Sequence, residues 1–283
     1  MKQAIATILA AAFLVTGATA GEELPARKIF GTLPAPTNGK PQAIGFYTKG
    51  CLTGGVALAP DGPAWQAMRP SRNRNWGHPK LVALIEKLAT EAKEKDGWPG
   101  LLVGDLAQPR GGPMLTGHAS HQVGLDADIW LMPSPGRTLS REEREQLSAV
   151  SVVKDRRNID PDVWTEGHAK LLKRAASYAQ VERIFVNPPI KKALCAWATG
   201  DRSWLRKIRP WYGHTYHFHI RMGCPDGDKC RAQPRPGAGD GCGELAYWLS
   251  DKPYAKRKTP PLKIKEMMMA DLPAQCKTVA GAE

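Results

Sequence analysis

Five short runs rich in apolar and β-branched or aromatic residues stand out along the chain, two of them with apolar and polar positions alternating at a period of two. These are AIGFYT (43–48), LLVGDLA (101–107), LDADIWLM (125–132), RIFV (183–186) and HTYHFHIRM (214–222), and each predicts a strand. A helical period appears elsewhere. Pro79 opens KLVALIEKLATEAKE, where Leu81, Leu84, Ile85 and Leu88 share a face. Ser140 and Glu143 form a capping-box pattern ahead of a short helix. Thr165 caps HAKLLKRAASYA, with Leu171, Leu172, Ala175 and Ala179 inward, and Pro189 begins IKKALCAWA. Strands and helices do not alternate strictly. The pattern therefore predicts an α+β fold: a mostly antiparallel central sheet flanked by helices, with disulfide-stapled loops.

Two of the strand-like runs carry unusual chemistry. In 125–132 the alternation puts Leu125, Ala127, Ile129 and Leu131 on one face and Asp126, Asp128 and Trp130 on the other. In 214–222, His217 and His219 share a face opposite Phe218 and Ile220. If these strands are neighbours, both polar faces line one cleft, and His121 from the preceding loop joins them. Three imidazole or carboxylate ligands with a fourth position open to water is the arrangement of catalytic zinc. Periodicity alone leaves open whether Asp126 or Asp128 is the ligand.

Composition places this chemistry outside the cell. The start, MKQAIATILAAAFLVTGATAGEE, has a lysine, an apolar run over 4–15 and a small-residue site at Ala18, Thr19 and Ala20. It reads as a cleaved signal peptide over 1–20, with the mature chain beginning at Gly21. The apolar run is short for a bilayer span and no later segment is longer, so no stable membrane insertion is expected. Residues 21–283 are expected to form a single domain, with an extended Pro- and Gly-rich lead-in over 21–42. Six cysteines, none in a C-x-x-C, suit three disulfides in an oxidising compartment. The stretch 225–243 reads as a loop that two of them could pin. The net charge of +13 suits, in an exported chain, cell-wall polymers and carboxylate-bearing peptides rather than nucleic acid.

The segments SRNRNWGHP (71–79), GHASHQVGLDADIW (117–130) and WYGHTYHFHIRMGCP (211–225) resemble the penicillin-insensitive murein endopeptidases, zinc peptidases of the bacterial cell wall. More distantly, the chain is similar to the lysostaphin, D-Ala-D-Ala peptidase and Hedgehog fold group, which shares H-x(6)-D and H-x-H ligands. The resemblance implies zinc held by His121, Asp128 and His219, with His217 and His214 as catalytic histidines that are not ligands. It suggests a second metal position using His118, Asp155 and Asn158, where asparagine replaces the family's histidine and is a poorer zinc ligand. It implies the disulfides Cys51–Cys276, Cys195–Cys242 and Cys224–Cys230, the first tying the C-terminal tail to the body.

The activity so implied is hydrolysis of D-alanyl–meso-diaminopimelyl cross-links of peptidoglycan in the periplasm. The alternatives are a zinc DD- or LD-carboxypeptidase or dipeptidase acting on uncross-linked stem peptides, and a non-catalytic wall-binding module with structural zinc. Arg72, Arg74 and Trp76 are candidates for gripping the carboxylates of a wall peptide. His168 is expected on a solvated helix face, His78 as an ordinary residue before proline, and Ser120 as a hydroxyl that positions a ligand histidine. A homodimer is compatible with the sequence.

Overall fold

The computed structural model describes residues 24–255 and 265–282. The expected signal peptide and mature start lie outside the described residues. The elements run, in chain order, α1 (Ala26–Phe30), β1 (Gln42–Phe46), β2 (Lys49–Thr53), β3 (Val56–Ala57), β4 (Asp61–Gly62), β5 (Trp65–Ala67) and β6 (Trp76–Gly77). Next come α2 (Pro79–Asp96), β7 (Leu101–Val103), β8 (Asp126–Trp130), α3 (Arg141–Gln146), β9 (Val153–Asp155), β10 (Asn158–Ile159) and α4 (Glu166–Ser177). The remainder are β11 (Val181–Val186), α5 (Pro188–Trp197), β12 (Ile208–Pro210), β13 (His217–Met222), β14 (Lys229–Cys230), α6 (Leu245–Trp248) and α7 (Gln275–Gly281).

The central sheet has seven strands in the order β12-β11-β13-β8-β7-β5-β4. The pairs β11–β12 and β5–β7 are parallel; the other neighbours are antiparallel. The fold is therefore α+β with a mostly antiparallel sheet. Its two faces follow the alternation. Ala127, Ile129, Phe218 and Ile220 join Leu81, Leu84, Ile85, Leu88, Leu171 and Leu172 in one core cluster, which seats α2 and α4 against the sheet. The other face carries Asp126, Asp128, His217 and His219, while Trp130 packs there with Met68, Leu102 and Leu139. That second face is not open: Asp126, Asp128 and His219 are all buried, because the loop over 104–125 and its neighbours cover it.

Local chemistry accounts for the helix boundaries. Pro79 starts α2 behind His78, whose ring accepts from the Lys80 amide at 3.2 Å, and Gly97 ends it in the left-handed region at φ 70°. Ser140 and Glu143 make both bonds of the capping box at the head of α3. The α4 helix stops at Ser177, so Ala179 is exposed rather than inward. His168 lies buried in that helix, not on a solvated face. Its Nε2 donates to the Leu131 carbonyl at 2.8 Å, and its Nδ1 accepts from the Thr165 amide at 3.0 Å. The imidazole thus ties α4 to the end of β8, a use that a charged helical neighbourhood conceals.

Other boundaries also move. The 101–107 run yields a strand only to Val103, because Leu106 and Ala107 turn to hydrogen-bond with Arg74 and Trp76. The 214–222 run begins its strand at His217, since His214 has φ 53° and the chain bends there. The lead-in contains α1, whose Ala26 and Phe30 pack with Ile44, Cys51, Cys276 and Val279. No helix among the described residues is long and apolar enough to cross a membrane.

The disulfides are Cys51–Cys276, Cys195–Cys242 and Cys224–Cys230. The first joins residues 225 positions apart and holds α7 against β2, where Met269 is buried beside it. Arg110 adds to this anchor by donating to the carbonyls of Val279 and Ala280. Within 225–243, β14 pairs parallel with β1, and the rest has little regular structure. Replacing both Cys51 and Cys276 by serine is expected to lower stability by about 2–5 kcal/mol in urea unfolding. Hydrogen exchange should accelerate across 275–281 while the amides of β8 and β13 keep their protection.

Candidate functional site

The strands β8 and β13 are hydrogen-bonded neighbours. Their register sets Asp128 opposite His219, Asp126 opposite Arg221 and Trp130 opposite His217. The chain reaches β8 through a sharp bend in which His121 has φ 68°. There the His121 amide donates to Asp126 Oδ2 at 3.0 Å and its Nδ1 donates to the Leu106 carbonyl at 2.6 Å. A carbonyl can only accept, so Nδ1 carries the proton and Nε2 keeps a lone pair. That Nε2 is buried without a hydrogen-bond partner, 3.5 Å from Asp128 Oδ1, which is itself unpartnered.

His219 reaches the same oxygen from the other side. Its Nδ1 lies 3.2 Å from Asp128 Oδ1, and its Nε2 lies 3.0 Å from Asp126 Oδ1. Neither contact is aligned as a hydrogen bond, since Asp128 Oδ1 and His219 Nε2 both remain unsatisfied. The two aspartates differ in what their oxygens touch. Asp126 is saturated: Arg221 Nε donates to Oδ1 at 2.7 Å, while Arg221 Nη2 at 3.2 Å and the His121 amide donate to Oδ2. Asp128 presents a free oxygen between two imidazoles.

Charge follows from these contacts. Burial opposes ionisation of Asp128, yet His121, His217 and His219 outweigh it and hold the carboxyl well below the usual range. Asp126 is likewise opposed by burial and held down by Arg221 and His219. Burial disfavours the charged form of His219, but Asp126 and Asp128 raise it above the ordinary histidine value. His217 and His214 go the other way. Burial, followed by the neighbouring histidines, pushes His214 down to about 4, and burial also lowers His217 against the pull of Asp128. Both rings are therefore neutral near pH 7 and can accept a proton.

His118 stands on the other flank. Its Nε2 donates to Asp105 Oδ2 at 3.0 Å and lies 3.6 Å from Asp128 Oδ2. Ligand atoms of His118, His121 and Asp128 fall within 4.8 Å of one another, close enough to share one metal ion. Asp155 and Asn158 are not in that group. They sit on the exposed β9–β10 hairpin, where Asn158 Nδ2 is 3.1 Å from both oxygens of Asp155. Arg72 and Arg74 both donate to Asp105 Oδ2, at 3.1 and 3.0 Å, and Arg74 also donates to the Thr116 carbonyl. Trp76 donates to Asn73. Arg74 and Trp76 thus bond to the protein's own groups, while Arg72 stays half exposed beside a 260 Å³ cavity that Asp128 and His217 also line. Ser120 lines a second cavity, with His118, His214 and His219.

Asp105 is the site residue that sequence reasoning missed. Burial opposes its ionisation, but His118, Arg72 and Arg74 hold its carboxyl at about 2. The signal was present: LLVGDLA places a carboxylate at the end of an apolar strand with no apparent partner nearby. His78 is more than an ordinary residue before proline; besides capping α2 it is buried 3.4 Å from Asp228.

His121 Nε2 and His219 Nδ1 approach the same oxygen, Asp128 Oδ1, at 3.5 and 3.2 Å, and His121 Nε2 and Asp128 Oδ1 are buried without hydrogen-bond partners. A divalent cation of zinc's preferences fits such a donor set. The Leu106 carbonyl holds the proton on the far side of the His121 ring, the kind of outer contact that orients a metal-binding histidine, and Asp126 Oδ1 stands 3.0 Å from the far nitrogen of His219. Asp126→Asn should leave Arg221 buried without its counter-charge and lower stability by about 3–5 kcal/mol, measured by urea unfolding in the presence of a chelator.

Comparison with known proteins identifies the family. The profile of the penicillin-insensitive murein endopeptidases matches residues 43–281. The chain is 46% identical over 222 residues to the penicillin-insensitive murein endopeptidase of Haemophilus influenzae, covering 78% of this chain and 77% of that one. It is 40% identical to the protein of that name from Klebsiella pneumoniae, over 91% and 92% of the two chains. It is 41% identical to that of Pectobacterium atrosepticum, over 92% and 94%. With the match running from β1 to α7, the chain belongs to the penicillin-insensitive murein endopeptidase family.

Proposed function

We propose that this chain is a zinc-dependent murein endopeptidase that hydrolyses D-alanyl–meso-diaminopimelyl cross-links of peptidoglycan. The observation that carries the reading is the approach of His121 Nε2 and His219 Nδ1, at 3.5 and 3.2 Å, to one buried and unpartnered oxygen, Asp128 Oδ1. Those three residues hold the zinc. His118 is a neighbour whose proton Asp105 retains. Asp155 and Asn158 bond each other on an exposed hairpin, so the reading takes one ion rather than two. When bound, zinc supplies a Lewis acid that polarises a carbonyl and brings the pKa of water to about 7.

His217 manages the proton. Its Nε2 is 3.6 Å from Asp128 Oδ2, and burial keeps the ring neutral. It accepts the proton of the attacking water and returns it to the departing amine as the amide C–N bond breaks. His214 packs beside it with ring centres 4.8 Å apart, and its Nδ1 donates to the Tyr212 carbonyl at 2.6 Å. That bond fixes the His214 ring and leaves its Nε2 as an acceptor. Attack by water needs no acylated serine, which gives a physical reason for insensitivity to β-lactams. The reading takes 1–20 as a signal peptide, 21–283 as a single peptidase domain and the periplasm as its location. The net charge of +13 suits the anionic wall.

Purified cross-linked muropeptide dimers test this. The protein should convert them to monomers, lose that activity on chelation and regain it on adding zinc. Trimming of chain ends with dimers intact would indicate a carboxypeptidase instead, and undiminished hydrolysis by metal-free protein would overturn the reading. His217→Ala should lower kcat by about 10²–10⁴ while zinc content is unchanged. A wall-binding module with structural zinc would not respond to that change.

A further inference from the structure

A cavity of about 470 Å³ begins at His118, His214 and His219 and is lined further along by Arg183, Arg209 and Arg221. The sheet register explains the grouping. Phe185 on β11 stands opposite His219 on β13 and opposite Arg209 on β12, and Arg183 stands opposite Arg221. Alternate residues of three adjacent strands therefore place three guanidinium groups and one aromatic ring on the wall that continues from the histidines.

The counter-charges do not balance them. Arg221 is fully engaged by Asp126, by Gln233 Oε1 at 3.2 Å and by the ring of Tyr47, 4.1 Å from its centre. Arg209 donates to Glu244 Oε2 at 2.7 Å. Arg183 donates to the Pro234 carbonyl, pairs with no carboxylate among the described residues, and buries its Nε without a partner. Burial and the neighbouring Arg209 and Arg221 also disfavour its charged form, so the pocket gains from an added negative charge. A guanidinium with unused donors in a basic, aromatic-walled cavity suits a planar carboxylate.

Resting on the wall-peptidase reading, we propose that this cavity is the subsite for the diaminopimelyl half of the cross-link, with Arg183 reading its free carboxylate. The substrate chemistry is suitable. Meso-diaminopimelate has two amino and two carboxyl groups, and the carbon bearing the scissile amide nitrogen carries one of those carboxyls. A carboxylate thus enters the site with the leaving amine, and its methylene chain can lie along Phe185.

The test uses zinc-loaded full-length protein and two uncleavable analogues of the cross-link, one with that carboxylate and one with the corresponding carboxamide. Binding is measured by calorimetry. The wild-type protein should prefer the carboxylate by about 10- to 100-fold. Arg183→Gln should remove that preference by weakening the carboxylate analogue alone, and Arg183→Lys should restore part of it. Equal affinity of the wild-type protein for both analogues overturns the subsite and leaves the peptidase reading standing. Equal weakening of both in Arg183→Gln reduces Arg183 to a support for the Pro234 loop and also overturns it. Failure of the wild-type protein to bind either analogue would instead remove the peptidase reading beneath it.

Discussion

One strand register holds the site together. Antiparallel pairing of β8 with β13 puts Asp128 beside His219, and the same ladder puts Asp126 beside Arg221. A slip of one residue would send the carboxylates and imidazoles to opposite faces, and a slip of two would set Asp128 against the guanidinium. The buried Asp126–Arg221 fork disfavours both errors, because either leaves a charge without its partner in a dry interior. Asp126 is therefore as necessary to the site as Asp128, although its oxygens face only protein groups. It sets the register, places a charge 3.0 Å from His219 Nε2 and fixes the bend at His121 through the backbone amide.

Backbone strain is concentrated where the histidines are. His121 and His214 both adopt positive φ, at 68° and 53°, a conformation that costs a residue with a Cβ about 1–3 kcal/mol. Each is held there by a ring nitrogen donating to a carbonyl, Leu106 for His121 and Tyr212 for His214. Those hydrogen bonds fix each bend and each tautomer at once. An imidazole so restrained would lose little further freedom on engaging the cation or substrate proposed for it, although both residues stand on bends just outside the sheet.

Much of this was legible in the sequence wherever a periodicity governed it. The apolar undersides of β8 and β13, the stripe of α2 and the Ser140–Glu143 box all follow local rules. Features decided by distant partners were not. His168 sits among charged helical residues, and only Leu131 from the end of β8 turns it inward. Asp105 looks like an accident in an apolar run until Arg72, Arg74 and His118 arrive from two other segments. Arg74 and Trp76 have the composition of a substrate grip, yet their donors are taken by Asp105 and Asn73. The choice between Asp126 and Asp128 lies beyond periodicity for the same reason: the two share a face and are separated by their partners alone.

The bridge between Cys51 and Cys276 also bears on the order of events during synthesis. Strand β2 and the partner that covers it are 225 residues apart, so the early part of the chain must wait for α7 before Cys51 is sealed. Until then the apolar patch of Phe30, Ile44 and Cys51 stays uncovered on one side. The Cys51–Cys276 bridge can therefore close only once Cys276 has emerged, so Cys51 waits through 225 positions of chain for its partner.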